Sequence, residues 1–169
     1  MKHTFAAAAV AVLIAAAAAF GPTGTAHGED RWAINGVFRV VSNGQLAQTN
    51  DVYHDENVVE STWTIATSCT GPIDCSGEVH SDQGWSAPIY QLSGTWYVKR
   101  TVPGWEPCSD GTAADGQQLF RFWPAAPDGT VDPQSSIYAG ADKTTGASGA
   151  CGINKWLTVS MPLKLTPLS

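Results

Sequence analysis

The chain has 169 residues, 43% of them hydrophobic, with nine Lys and Arg against fifteen Asp and Glu for a net charge of −6. That length fits one domain with one core, or one domain behind a processed leader. The acids are scattered through turn-like stretches and no basic cluster exists, which argues against nucleic acid and against adhesion to anionic lipid.

The first stretch reads as a leader. Lys2 and His3 precede an uncharged apolar run from Phe5 to Phe20, and Gly24-Thr25-Ala26 offers small residues where a signal peptidase cuts. This is the pattern of a secretory signal peptide over residues 1–26. The run is short of the roughly 20 residues that a membrane span needs. No cysteine sits at the cleavage site for a lipid anchor, and no second apolar run follows. The predicted organisation is a signal peptide at 1–26, a polar lead at 27–33 and a single β domain over 34–169. The mature chain is expected to be exported and to have no membrane span.

Ile34 to Val41 alternates, with Phe38 and Val40 on one face and Val37, Arg39 and Val41 on the other. Ser42-Asn43-Gly44 reads as a hairpin turn, because Asn-Gly tolerates the positive φ of tight hairpins. Gln45 to Asn50 is the candidate return strand, and Asp51 to Asn57 a charged loop carrying His54. Val58 to Thr67 is rich in β-branched and aromatic residues, and Trp63, Ile65 and Thr67 share a face. After the Cys69–Cys75 loop, Gly77 to Ser81 places Val79 inside and Glu78 and His80 outside. Asp82-Gln83-Gly84 turns the chain into Trp85 to Leu92, where Pro88 marks an edge or a bulge.

Ser93-Gly94 turns into Thr95 to Val102, with Trp96, Val98 and Arg100 opposite Tyr97 and Lys99. Pro103 to Gly116 reads as a loop pinned by Cys108. In Gln117 to Trp123, Phe120 and Phe122 face one way and Leu119, Arg121 and Trp123 the other. Pro124 to Gln134 is irregular, Ser135 to Ala139 is a short strand, and the small residues of Gly140 to Gly152 read as a loop. Leu157, Val159, Met161, Leu163 and Leu165 alternate most cleanly of all, with Pro162 again marking an edge or a bulge. Short strands with turn signals about every ten residues and no helix after the leader predict an all-β fold. The expected architecture is a small antiparallel up-and-down barrel, with a β-sandwich as the alternative.

Cys69, Cys75, Cys108 and Cys151 are an even number in an exported chain, and so predict two disulfides. Three pairings are possible. Cys69 with Cys75 and Cys108 with Cys151 is preferred, because the first pair closes a turn around Thr-Gly-Pro-Ile-Asp and the second ties a Gly-rich loop to the body. A zinc site built from all four lacks the two close cysteine pairs that such sites use. No metal and no cofactor is expected.

Seven tryptophans are many for this length. An indole stacks on a sugar face or lines an apolar pocket. Trp63, Trp96 and Trp123 lie within strands and are expected in the core. Trp85 and Trp105 lie beside turns and are the candidate ligand-binding residues, since small barrels often hold one ligand in their mouth. His54 lies among Asp51, Asp55 and Glu56, which would suit a general base or a metal ligand, but the same pattern describes a solvated loop. His80, Ser81 and Asp82 cannot form a triad, because adjacent strand residues point to opposite faces. Gly146-Ala147-Ser148-Gly149-Ala150 lacks the last glycine of a nucleophile elbow. The stretch from Gly140 to Gly146 lacks the ending of a phosphate loop. Asp110-Gly111 and Asp115-Gly116 are turn signals before they are calcium ligands. No catalytic residue is assigned.

Trp63-Thr-Ile, Ser68-Cys69, Asp74-Cys75-Ser-Gly77, Ser81-Asp82-Gln83-Gly84-Trp85, Trp105-Glu-Pro-Cys108-Ser-Asp110-Gly111 and Ser148-Gly149-Ala150-Cys151-Gly152 form a pattern over nearly the whole mature chain. In it the chain resembles uncharacterised short secreted proteins of mycobacteria and related actinobacteria. The resemblance implies a place, secreted or in the cell envelope, and carries over no activity or catalytic residue. The functional expectation is a non-enzymatic binding module for a small apolar or glycan ligand or a protein partner at the envelope. A hydrolase of envelope polymers using His54 and its neighbouring acids is the alternative.

Overall fold

Alternation decides which way each strand faces, and the large apolar side chains have one place to go. A computed structural model describes residues 32–168. The predicted signal peptide and most of the polar lead lie outside the described residues. The strands are β1 (Gly36–Ser42), β2 (Gln48–Thr49), β3 (Val52–Tyr53), β4 (Val59–Gly71), β5 (Asp74–Ser81), β6 (Trp85–Leu92), β7 (Thr95–Pro107), β8 (Ala113–Pro124), β9 (Tyr138–Gly146) and β10 (Thr158–Pro167). The order is β1-β4-β5-β6-β7-β8-β9-β10, antiparallel throughout, and β10 pairs back onto β1 from Phe38↔Pro167 to Ser42↔Leu163. That last ladder closes an eight-stranded up-and-down barrel and excludes the sandwich. Among the described residues no helix is long and apolar enough to cross a membrane.

The barrel interior is a packed core over much of its length. Phe38, Trp63, Ile65, Val79, Ile89, Trp96, Val98, Phe120, Phe122 and Leu165 point inward, and none exceeds 5% exposure. Burying each such side chain contributes about 1.5–3 kcal/mol. Closure also removes the free sheet edges that would otherwise invite pairing with another chain. At one end lie the turn at Pro72-Ile73, the tight Ser93-Gly94 turn and the irregular 125–137 connection. The 43–58 segment, the 82–84 turn, the 108–112 turn and the 147–157 loop ring the other end, the mouth.

Both prolines mark places where one ladder stops. The two-residue turn at Ser93 and Gly94 makes Leu92–Thr95 and Tyr90–Tyr97 the hydrogen-bonded pairs of β6 and β7. Pro88 falls at the next such position and has no N–H to give, so the β6–β7 ladder ends at Ile89↔Val98. The wall is therefore split between residues 85–88 and 99–102, while β6 continues to pair with β5 through Glu78↔Pro88. Pro162 sits where β10 changes partner, from β2 at Val159 and Ser160 to β1 at Leu163. Its carbonyl accepts from the Asn43 N–H at 2.8 Å.

Four expectations need correction. Asn43-Gly44 is no hairpin turn: Asn43 is extended and caps a short 3-10 turn at Gly44–Leu46, and the chain then pairs with β10 as β2. Gly44 is needed for closeness, since a Cβ there would fall against the carbonyls of Glu56 and Asn57. Pro103 to Gly116 is mostly strand, because a bulge between Val102 and Glu106 lets the β7–β8 ladder resume at Glu106↔Ala114. Gly140 to Gly146 is the greater part of β9, in register with both β8 and β10. Its inward positions hold glycine, Asp142 and Thr144, so apolar alternation is missing. Trp123 is outside the core: with Phe122 inward it must point outward, where its Nε1 donates to the Gly129 carbonyl at 3.4 Å.

Both disulfides form in the preferred pairing. Cys69 and Cys75 face each other across the β4–β5 ladder with Cα atoms 4.1 Å apart. Cys108 and Cys151 join the 108–112 turn to the 147–157 loop across the mouth, with Cα atoms 4.9 Å apart.

Candidate functional site

Toward the mouth the inward positions turn polar. β1 supplies Ser42, β4 Ser61, β7 Arg100, β8 Gln118, and β9 Asp142 and Thr144. Here the core gives way to a cavity of about 250 Å³, whose wall these residues share with Trp63, Trp85, Trp105 and Phe120. The split between β6 and β7 runs past it, and the Arg100 guanidinium lies there over the Trp85 ring, 4.5 Å from its centroid. A guanidinium over an indole face is attracted by the ring quadrupole.

The aromatic wall is ordered by ring geometry. Trp85 stacks on Phe120 with planes 9° apart, and Trp63 meets both edge-on, at 5.3 Å from Trp85 and 4.8 Å from Phe120. Trp105, beside the β7 bulge, packs against Gly116, where a Cβ would come within 2.8 Å of the indole. Only a residue without a side chain lets the ring lie there.

A chain of hydrogen bonds holds the polar wall. Arg100 donates from Nε to Gln118 Oε1 at 2.6 Å, and Gln118 donates from Nε2 to Asp142 Oδ1 at 2.8 Å. Ser42 donates from Oγ to Asp142 Oδ2 at 2.8 Å. Asp142 is 2% exposed, and burial pushes its carboxyl above the ordinary range. The bonds from Gln118 and Ser42 and the charge of Arg100 oppose that push. Burial also lowers the proton affinity of the Arg100 guanidinium, against the pull of Asp142.

The linkage of Asp142 to pH follows in sign. Its folded pKa is raised, so between the ordinary carboxylate range and that raised value the folded state binds more protons than the unfolded one. Ionisation of Asp142 therefore costs stability as pH rises through that window. Asp142→Asn keeps an acceptor for Gln118 and can donate to Ser42, but it cannot ionise. Urea midpoints at pH 4 and pH 8 should show the variant gaining on the wild type as pH rises. A constant difference between the two proteins would contradict the assignment.

Donors and an acceptor near the mouth lack partners among the described residues. The Nε1 groups of Trp63 and Trp85, and Oε2 of Glu106 beside Trp105 and Gly146, are buried and make no hydrogen bond. The Arg100 Nη atoms have no acceptor among the described residues either; only Nε is engaged. Buried polar groups are normally paired, and an unmet one costs about 1–3 kcal/mol.

The structure brings Trp85 and Trp105, the two tryptophans singled out from the sequence, to the wall of this one cavity. Trp63 closes its inner side while belonging to the core. Arg100 was legible as an inward residue but not as part of a site, and Asp142 lay within an expected loop. His54 does not line the cavity; it is exposed, with Nδ1 3.0 Å from Glu56 Oε1. His80 is exposed beside Glu78, and Ser81 Oγ accepts from the Gln83 N–H in the turn. Asp110 accepts from Thr112 and Asp115 from the Gly104 N–H, so both serve turns. Among the described residues no three His, Cys, Asp or Glu stand where they could hold a metal.

No family model matches the sequence. No curated protein matches it either. Among solved structures, the monomer form of the M. tuberculosis PknI sensor domain is similar, with a TM-score of 0.58 over 80% of this chain and 88% of that one. The two are 16% identical, so the chain shares the fold of that sensor domain, a closed β-barrel, and the likeness reaches no further than fold.

Proposed function

We propose that this protein is an exported, non-enzymatic binding module that takes a small ligand in the mouth of its barrel. The observation that carries this reading is the cavity itself. Inside an otherwise packed barrel, three tryptophans and an arginine enclose about 250 Å³ of space in place of filling it. Protein interiors are close-packed and leave few voids larger than a water molecule, so a hollow of this size at the mouth is a departure from the rest of the barrel. The polar groups there form one hydrogen-bonded wall, in which the Ser42 hydroxyl and Gln118 both donate to Asp142. The two disulfides fit an oxidising compartment, as expected of a chain behind a signal peptide. The structural neighbour is described as a sensor domain, a role that a ligand-holding barrel suits.

Native mass spectrometry of the protein from its host's culture medium should show an added mass that is lost on denaturation. Trp105→Ala should lower that occupancy by roughly tenfold, as removing one ring face from a small ligand would. Trp123→Ala, on the outer face, should leave it unchanged. A bare mass in both states, with no response to either substitution, would end the reading.

A further inference from the structure

We infer that the barrel carries a second site, outside its mouth, where Trp156 with Lys143 and Lys155 takes an acidic polysaccharide built of carboxylate-bearing sugars. This site is separate from the mouth, and neither depends on the other.

The first ground is where the cations lie. Among the described residues, Arg39 is paired with Glu60 and Arg100 points inward. The remaining five, Lys99, Arg121, Lys143, Lys155 and Lys164, make no ion pair with a described acid. They sit on β7, β8, β9, the 147–157 loop and β10, which are consecutive around the barrel. They are spread through the sequence, and closure of the sheet gathers them on one side. On these strands and that loop Asp115 is the one exposed acid. Asp51 adds a second where the turn after β2 meets the loop. This side of a chain of net charge −6 is therefore cationic, and a cationic face draws an anionic partner.

The second ground is Trp156. A single exposed tryptophan needs no explanation. This one is 61% exposed and borders two open grooves, of about 680 and 610 Å³. Its loop is tied on both sides of it, by the Cys108–Cys151 bridge before and by the Leu157 carbonyl after, which accepts from the Gly146 N–H at 2.9 Å. A ring already held in place loses little freedom when it binds.

The chemistry of the smaller groove narrows the partner. There Trp156 stands with Asn50, Asp51, Lys143, Asn154 and Lys155. An indole face stacks on a sugar ring. Amides donate and accept, Asp51 accepts from hydroxyls, and the lysines donate to a carboxylate. Asn50 Oδ1 is taken by the Thr158 N–H at 3.0 Å, which leaves its NH2 to donate. An acidic peptide would answer the lysines but set its carboxylates against Asp51 with no hydroxyl to offer it. Lys99 and Lys143 share one row across β8, two strand spacings or about 10 Å apart at the backbone. Charges strung along a wall suit a repeating polymer better than one phosphate.

The test titrates the full mature chain with polygalacturonate, dextran and polyglutamate, read by calorimetry and by 15N–1H indole resonances. Polygalacturonate should bind at least about tenfold more tightly than the neutral dextran or the sugar-free polyglutamate, and more weakly as salt rises. It should move the Trp156 indole signal and leave that of Trp105 in place. Trp156→Ala should cost about tenfold. Lys143→Gln with Lys155→Gln should cost about as much and flatten the salt dependence; all three positions are exposed, so the variants should fold. Dextran binding as tightly as polygalacturonate would overturn the role of charge, and polyglutamate doing so would overturn the glycan. A Trp156 signal that no probe moves would end the inference, while the mouth stands or falls on its own ligand.

Discussion

Gly140→Val should leave no stable barrel. A Cβ at Gly140 would land on the carbonyl oxygen of Arg121 and come within 2.7 Å of the Phe122 Cα. These are backbone atoms of the neighbouring strand, so no rotamer change relieves the clash and β8 must move away from β9. In a closed barrel, opening one ladder strains every other. A loss of at least about 4 kcal/mol is expected, a large part of the 5–15 kcal/mol that holds a domain together. Gly77 stands in the same relation to Ala66 and Thr67 across β4 and β5, so Gly77→Val is an independent second case. Gly71, with nothing within 4 Å of its missing Cβ, is the control, and Gly71→Ala should be nearly neutral. Far-ultraviolet circular dichroism and urea unfolding of the three variants decide the matter. A Gly140→Val protein with the wild-type midpoint would mean that the Phe122↔Gly140 register is wrong.

Loss of the Cys108–Cys151 disulfide should cost about 4 kcal/mol, and loss of Cys69–Cys75 about 2 kcal/mol, when each pair is replaced by serine. The difference comes from the unfolded chain. The two bridges close loops with sequence separations of 43 and 6, and the longer loop loses more freedom when tied. The shorter bridge also crosses strands that are already in register, whereas the longer one joins two mouth segments. Urea midpoints of the two double variants should therefore fall unequally, with the Cys108/Cys151 variant lower. Equal falls would contradict the loop-closure account, and no change in either would mean that the bridges do not form. In the Cys108/Cys151 variant ligand occupancy should also drop, because the bridge anchors the turn beyond Trp105.

Much of the wall of the barrel was legible because its residues obey one rule. In β4 the run Trp63, Ile65, Thr67, in β7 Trp96, Val98, Arg100, and in β10 Leu163 and Leu165 alternate with exposed positions, and all point inward. The rule fails where inward residues are not apolar. β9 presents Gly140, Asp142, Thr144 and Gly146 to the interior, two glycines for close packing and two polar groups at the cavity, and so it reads as a loop. Trp85 and Trp105 drew attention because they lie beside turns, which says nothing of their being neighbours. Pro88 was readable as a break in pairing, but not that the break would lie between the two strands carrying Trp85 and Arg100.

From the residues alone came the strand faces, the tight turns at Gly84 and Ser93-Gly94, and the preferred cysteine pairing. Each of these depends on neighbours a few residues apart or on what an even cysteine count implies. Closure of the sheet, by contrast, is a contact between β1 and β10, near opposite ends of the described chain. The mouth gathers side chains from β1, β4, β6, β7, β8, β9 and β10. The meeting of Arg100, Gln118, Asp142 and Ser42 depends on barrel register and curvature, which no local pattern encodes. Tertiary structure alone decided that these residues enclose a space.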